Sequence, residues 1–139
     1  MILLDTSGLL SLFVAAETGH EHVVRAFEQE QPPFLISPFV LAELDYLVAS
    51  RGGATAELAA LRELCSGAYD LVGFDAGDLA QATNVIERFR DLSIGLTDAS
   101  IVVLAGRFGT ERVLTLDERH FRALRTPSGG TFTLLPADG

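Results

Sequence analysis

The chain has 139 residues, 48% of them apolar, and a net charge of −9 in which ten arginines supply all the basic side chains. This excludes a disordered polypeptide, suffices for one domain burying roughly two-thirds of its unfolded surface, and suits a generic nucleic-acid binder poorly, because such binding depends on cations meeting phosphates. A single cysteine, Cys65, excludes an internal disulfide and a multi-thiolate zinc site and fits a reducing cytoplasm, and no apolar stretch approaches the roughly 18 residues of a membrane span.

Residues 1–4 form an uninterrupted apolar run, the pattern of a buried strand, closed by Asp5. Thr6 or Ser7 then caps an apolar helix reaching about Ala16. A second helix near 19–30 presents Val23, Val24 and Phe27, while His20 and His22, two apart, face different directions and belong to the surface. Pro32 and Pro33 stop that helix, and Phe34–Ile36 makes a short strand. Pro38 opens the next helix in its first turn, where the missing N–H costs nothing. Gly52 and Gly53 break it, and residues 56–65 continue as another helix. A third strand is expected at 69–74. Asp75 caps the following helix, with Asp78 completing a capping box, and Leu79, Ala82, Ile86 and Phe89 make its apolar stripe. A helix from Thr97 ends near Gly109, strand 112–116 follows, and 118–124 is a short helix in which Phe121 and His120 serve packing. After the turn at Gly129 and Gly130, residues 131–135 form an edge strand. No repeat or linker interrupts the alternation, so the expectation is one domain, 1–139, of α/β class with a mostly parallel sheet.

Ligands of such sheets bind beyond the carboxyl ends of the strands, the edge at which Asp5 and Asp117 stand. Two further acids hold comparable landmarks. Glu43 lies in the helix from Pro38 on the face of Val40 and Leu47, with Asp45 turned away. Asp98 sits at the start of its helix, above Val102 and Ala105. Each has an ordinary explanation as a cap, a first-turn acid favoured by the helix dipole or a paired glutamate. Taken together the four need another. Carboxylates about 4 Å apart repel by roughly 4 kcal/mol at an effective dielectric near 20, so a converging set takes up protons or binds a hard cation. Asp75 also ends a strand, but its capping partner accounts for it. Thr6, Ser7, Thr97 and Thr115 flank the four acids and are placed to hold their rotamers or bound waters, and Arg119 to meet a phosphate. Arg107, Arg112, Arg119, Arg122 and Arg125 could form a local basic patch.

The segments Leu3-Leu4-Asp5-Thr6-Ser7, Ser37-Pro38 with Leu41-Ala42-Glu43-Leu44, Leu96-Thr97-Asp98-Ala99, and Leu114-Thr115-Leu116-Asp117 with Phe121 follow one another at spacings that resemble PIN-domain ribonucleases, and among them the VapC toxins of toxin–antitoxin modules. The resemblance covers essentially the whole chain. It implies a three-layer sandwich with helices flanking a mostly parallel sheet, and a metal-dependent endoribonuclease. It further implies that Asp5, Glu43, Asp98 and Asp117 form a site for Mg²⁺ or Mn²⁺. Asp5 and Asp98 would be the direct ligands; Glu43 and Asp117 would serve a second ion or act through water. A homodimer in the cytoplasm, an RNA substrate and a cognate antitoxin are implied too, and the acidic balance suits a basic antitoxin segment. The competing class is a PIN-like module that binds RNA or protein without catalysis. The absence of lysine argues against a receiver domain, and Ser7, two residues after Asp5, against a haloacid-dehalogenase phosphatase.

Overall fold

Short apolar runs build the sheet. In the computed structural model, which describes residues 1–139, β1 (Ile2–Leu4), β2 (Phe34–Ile36), β3 (Asp70–Leu71), β4 (Arg112–Leu114) and β5 (Thr133–Leu135) are parallel throughout, in the order β3-β2-β1-β4-β5. Ile2, Leu3 and Leu4 are all buried, as a strand covered on both faces requires, and this is why the sequence shows a continuous apolar run rather than an alternation. The helices are α1 (Thr6–Phe13), α2 (His20–Glu28), α3 (Pro38–Leu64), α4 (Ala76–Arg88), α5 (Leu96–Phe108) and α6 (Glu118–Ala123). None is long and apolar enough to cross a membrane. The chain steps from β1 outward to β2 and β3, then returns to the other side of β1 for β4 and β5. The reversal therefore falls between β1 and β4, the place where such sheets leave a crevice at their carboxyl edge.

Two helices fix the geometry of that crevice. In α5, Ala99 through Ala105 are buried without interruption, so this helix is enclosed on all sides and its first turn is held firmly. In α1, Gly8 lies against β4: a Cβ there would collide with the Leu114 carbonyl, a backbone group that cannot swing aside. The remaining core is aromatic on the β2 side, where Phe27 and Phe34 meet at a tilt with centroids 4.6 Å apart beside Tyr69 and Phe13.

Several local expectations are corrected by packing. α1 stops at Phe13 because Val14 turns extended. The third strand has two residues instead of six: Asp70 and Leu71 are exposed, and Tyr69 is spent on the aromatic cluster. The box of Asp75 and Asp78 forms as expected, with Asp75 Oδ1 accepting from the Asp78 N–H at 2.9 Å and Asp78 Oδ2 accepting from the Asp75 N–H at 3.0 Å. The inward face of α4, however, runs through Asp78 and Ala82, leaving Leu79 exposed. Asp78 tolerates burial because Arg107 also donates to it at 2.9 Å. Gly53, at φ 79°, breaks α3 as expected, in a left-handed conformation that a side chain would disfavour.

Candidate active site

Asp5 is the first residue past β1, and its backbone N–H continues the ladder to the Leu114 carbonyl at 3.0 Å. The neighbouring strand also supplies its side-chain support. Thr115, one residue past β4 and buried, donates its hydroxyl to Asp5 Oδ2 at 2.7 Å. Ser7 Oγ stands 3.2 Å from the same oxygen and 3.1 Å from Thr115 Oγ1, and accepts from the Leu116 N–H at 2.9 Å. Thr115 Oγ1 in turn accepts from the Asp117 N–H at 2.9 Å. One hydroxyl thus links the ends of β1 and β4 and positions two of the four acids. Thr6 is buried and its hydroxyl has no partner in the protein.

Asp98 arrives from the opposite side on the first turn of α5. That helix starts at Leu96 with Gly95 as its cap, so Thr97 does not cap it: its carbonyl accepts from Ser100 Oγ at 2.6 Å. Ser100 Oγ lies 2.8 Å from Ser37 Oγ, and Ser37 caps α3 by accepting from the Phe39 N–H at 3.1 Å. This buried serine pair ties the start of the helix carrying Glu43 to the start of the helix carrying Asp98. Ser100 carried no signal in the sequence.

Glu43 is exposed, contrary to the buried face expected for it. The core-facing row of α3 is Val40, Leu44 and Val48, so Glu43 stands one residue, about 100°, around from Leu44. Asp45, expected to face water, has one carboxyl oxygen buried without a hydrogen bond. The charge of Glu43 still reaches Asp98, as the smallest of the influences on that carboxyl.

Asp117 caps α6 through Oδ1, which accepts from the His120 N–H at 3.1 Å. The sequence assigned His120 to packing, yet its ring enters the site: Nδ1 is 2.9 Å from Asp98 Oδ2 and 3.1 Å from Asp117 Oδ2. An Asp cap followed by a histidine three residues on was the available signal. Phe121 faces the core as expected, 1% exposed. Of the other histidines, His22 is exposed, whereas His20 is half-buried with Nδ1 2.7 Å from the Ser11 carbonyl.

The acids perturb one another. Burial pushes the Asp5 carboxyl up to about 7; the Thr115 hydrogen bond opposes this, and the charges of Asp98 and Asp117 add to it. Asp98 is also raised, first by burial and then by Asp117, with His120 pulling it back and Glu43 pushing further. No arginine pairs with any of the four. The expected basic patch does not form: Arg107, Arg112 and Arg122 are held by Asp78, Glu30 and Asp138, and Arg125 by the carbonyls closing α6. Arg119 alone of the five is exposed and unpaired.

These side chains fit a divalent cation. Asp98, Asp117 and His120 each offer a donor atom within 4.8 Å of the others. Asp5 is buried against their charges with no cation of the protein to offset it, and carboxylate oxygens are the ligands hard divalent ions take.

A family model described as the PIN domain matches residues 2–126. The chain is 47% identical to Ribonuclease VapC26 of Mycobacterium tuberculosis over 135 residues, 97% of this chain and 100% of that one. Among solved structures, it resembles Mycobacterium tuberculosis VapC20, a sarcin-ricin loop cleaving toxin, with a TM-score of 0.80 and 24% identity, covering 86% of this chain and 92% of that one. A DNA-bound VapBC from Salmonella typhimurium superposes with a TM-score of 0.70 at 20% identity over 96% of each chain. Both structural likenesses concern the fold.

Proposed function

The chain belongs to the PIN-domain family, and from that membership we propose that it is a metal-dependent endoribonuclease, the toxin of a VapBC-type module that restrains growth by cutting RNA needed for translation. The observation that carries this reading is the meeting of Asp98, Asp117 and His120 at the crevice between β1 and β4, with Asp5 buried where their charges reach it and the charge of Glu43 felt by Asp98.

Asp5 and Asp98 would hold an Mg²⁺ or Mn²⁺ ion directly, with Asp117 beside them and Glu43 acting through water. The ion supplies Lewis acidity at the phosphate and a water of lowered pKa. The residues supply position. Thr115 holds Asp5 Oδ2 in one rotamer and steadies the Asp117 backbone. The Ser37–Ser100 pair keeps Glu43 and Asp98 in register. Glu43, exposed and without an ion-pair partner, is placed to accept a proton from water at the rim. Arg119, on the first turn of α6, is free to meet a phosphate, and Thr6 and Thr97, next in sequence to Asp5 and Asp98, would supply further hydroxyls.

With few free cations, the protein relies on the ion and on local contacts to hold RNA, while its −9 charge suits a basic antitoxin segment lying across the acidic groove. The VapBC identity of a similar structure supports such a partner. A homodimer in the cytoplasm, where the exposed Cys65 stays reduced, completes the proposal.

Purified, antitoxin-free protein is expected to cut total cellular RNA with Mg²⁺ or Mn²⁺, leaving 5′-phosphate and 3′-hydroxyl ends, and to stop with EDTA or in Asp98→Asn. Cyclic-phosphate ends would rule out hydrolysis by a metal-activated water. Folded, metal-loaded protein that leaves RNA intact would point instead to a binding module without catalysis.

A further inference from the structure

We propose that His120 is a nitrogen ligand of the ion at this site, which biases the site toward first-row transition ions over Mg²⁺. This rests on the metal-dependent reading above and adds a donor to it. The ring Nδ1 stands 2.9 Å from Asp98 Oδ2 and 3.1 Å from Asp117 Oδ2. In an octahedral shell with bonds of roughly 2.1 Å, neighbouring donors are about 3 Å apart. Nδ1 therefore stands from each carboxylate at the spacing of adjacent ligands, and all three donor atoms lie within 4.8 Å of one another.

The ring is held where it is. His120 is the third residue of α6, and its own N–H bonds the Asp117 carboxylate that caps the helix. The next residue, Phe121, is buried, as is Leu124. Imidazole and carboxylate are thus fixed to each other by the helix start and anchored to the core behind it. Its side chain is 23% exposed, beside 16% for Asp98 and 31% for Asp117, which leaves the cluster open to an incoming ion.

Without an ion, Nδ1 lies within hydrogen-bond distance of both acids. As a ligand through Nδ1 the ring carries its remaining proton on Nε2, and any proton held on Nδ1 leaves to solvent as the ion enters, so coordination needs no co-reactant. The consequence is selectivity. Mg²⁺ takes oxygen and sheds water reluctantly, whereas imidazole favours transition ions.

Electron spin-echo spectroscopy of Mn²⁺ bound to the purified full chain tests this directly, because a directly bonded imidazole gives a ¹⁴N coupling larger than that of any nitrogen outside the ligand shell. The expected result is that coupling in the wild type and its loss in His120→Ala or His120→Asn. The Mn²⁺-to-Mg²⁺ affinity ratio should fall on the order of tenfold in both variants. The wild-type spectrum decides even where a variant folds poorly. Bound Mn²⁺ that Asp98→Asn abolishes, without that ¹⁴N coupling in the wild type, would overturn the ligand role and leave the metal-dependent reading standing. Failure of the folded wild type to bind Mn²⁺ at all would overturn both.

Discussion

Asp5→Asn should stabilise the metal-free protein at alkaline pH and destabilise the metal-loaded one. Moving a carboxyl from 3.8 to about 7 costs its ionised form about 4 kcal/mol, at ~1.4 kcal/mol per pH unit. The folded state keeps the Asp5 proton after the unfolded chain has lost it. The folded state thus binds more protons between about pH 4 and pH 7, and stability falls as pH rises across that window. Above pH 7 the whole cost is in place. Asparagine removes the charge and with it the dependence, so the stability difference between variant and wild type should move in favour of the variant by about 3 kcal/mol from pH 5 to pH 8. Any penalty for an amide that finds no acceptor, roughly 1–3 kcal/mol, is the same at both pH values and cancels from that comparison. Saturating Mn²⁺ should reverse the order, since an ion at 100 times its Kd adds about 2.7 kcal/mol to the form that binds it. Urea unfolding at pH 5 and pH 8, with EDTA and with Mn²⁺, measures all of these. A difference between variant and wild type that is equal at both pH values in EDTA would refute the claim that Asp5 is held at a cost against its neighbours.

Gly8→Ala places a methyl against the Leu114 carbonyl, the same group that accepts the Asp5 N–H. A loss of about 1–3 kcal/mol in urea unfolding is expected, together with weaker RNA cleavage, because α1 and the Asp5 backbone must shift together. Asp75→Ala removes the side-chain acceptor of the α4 cap and should lower the urea midpoint in the same assay while leaving RNA cleavage unchanged. Cleavage lost in that variant would mean that Asp75 takes part in the chemistry.

The sequence by itself determined the order of elements and the sheet edge at which Asp5 and Asp117 emerge. Continuous apolar runs such as 1–4 announce strands covered on both faces, and an acid directly after such a run has to emerge at the carboxyl end of a parallel sheet. The breaks at Gly53 and at Pro32 and Pro33, and the cap at Asp75, are likewise local, because each depends on what one residue can do with its own backbone or a near neighbour. The tertiary structure decided what depends on distant partners. The face Glu43 occupies followed from which row of α3 the core accepted. The fate of the C-terminal arginines followed from acids as remote in the chain as Glu30, 82 residues from Arg112. His120 entered the site only because Asp98, 22 residues earlier in the chain, is brought against the start of α6. A side chain's role is legible when its partners are its neighbours in sequence. Folding assigns it when the partners lie on other elements.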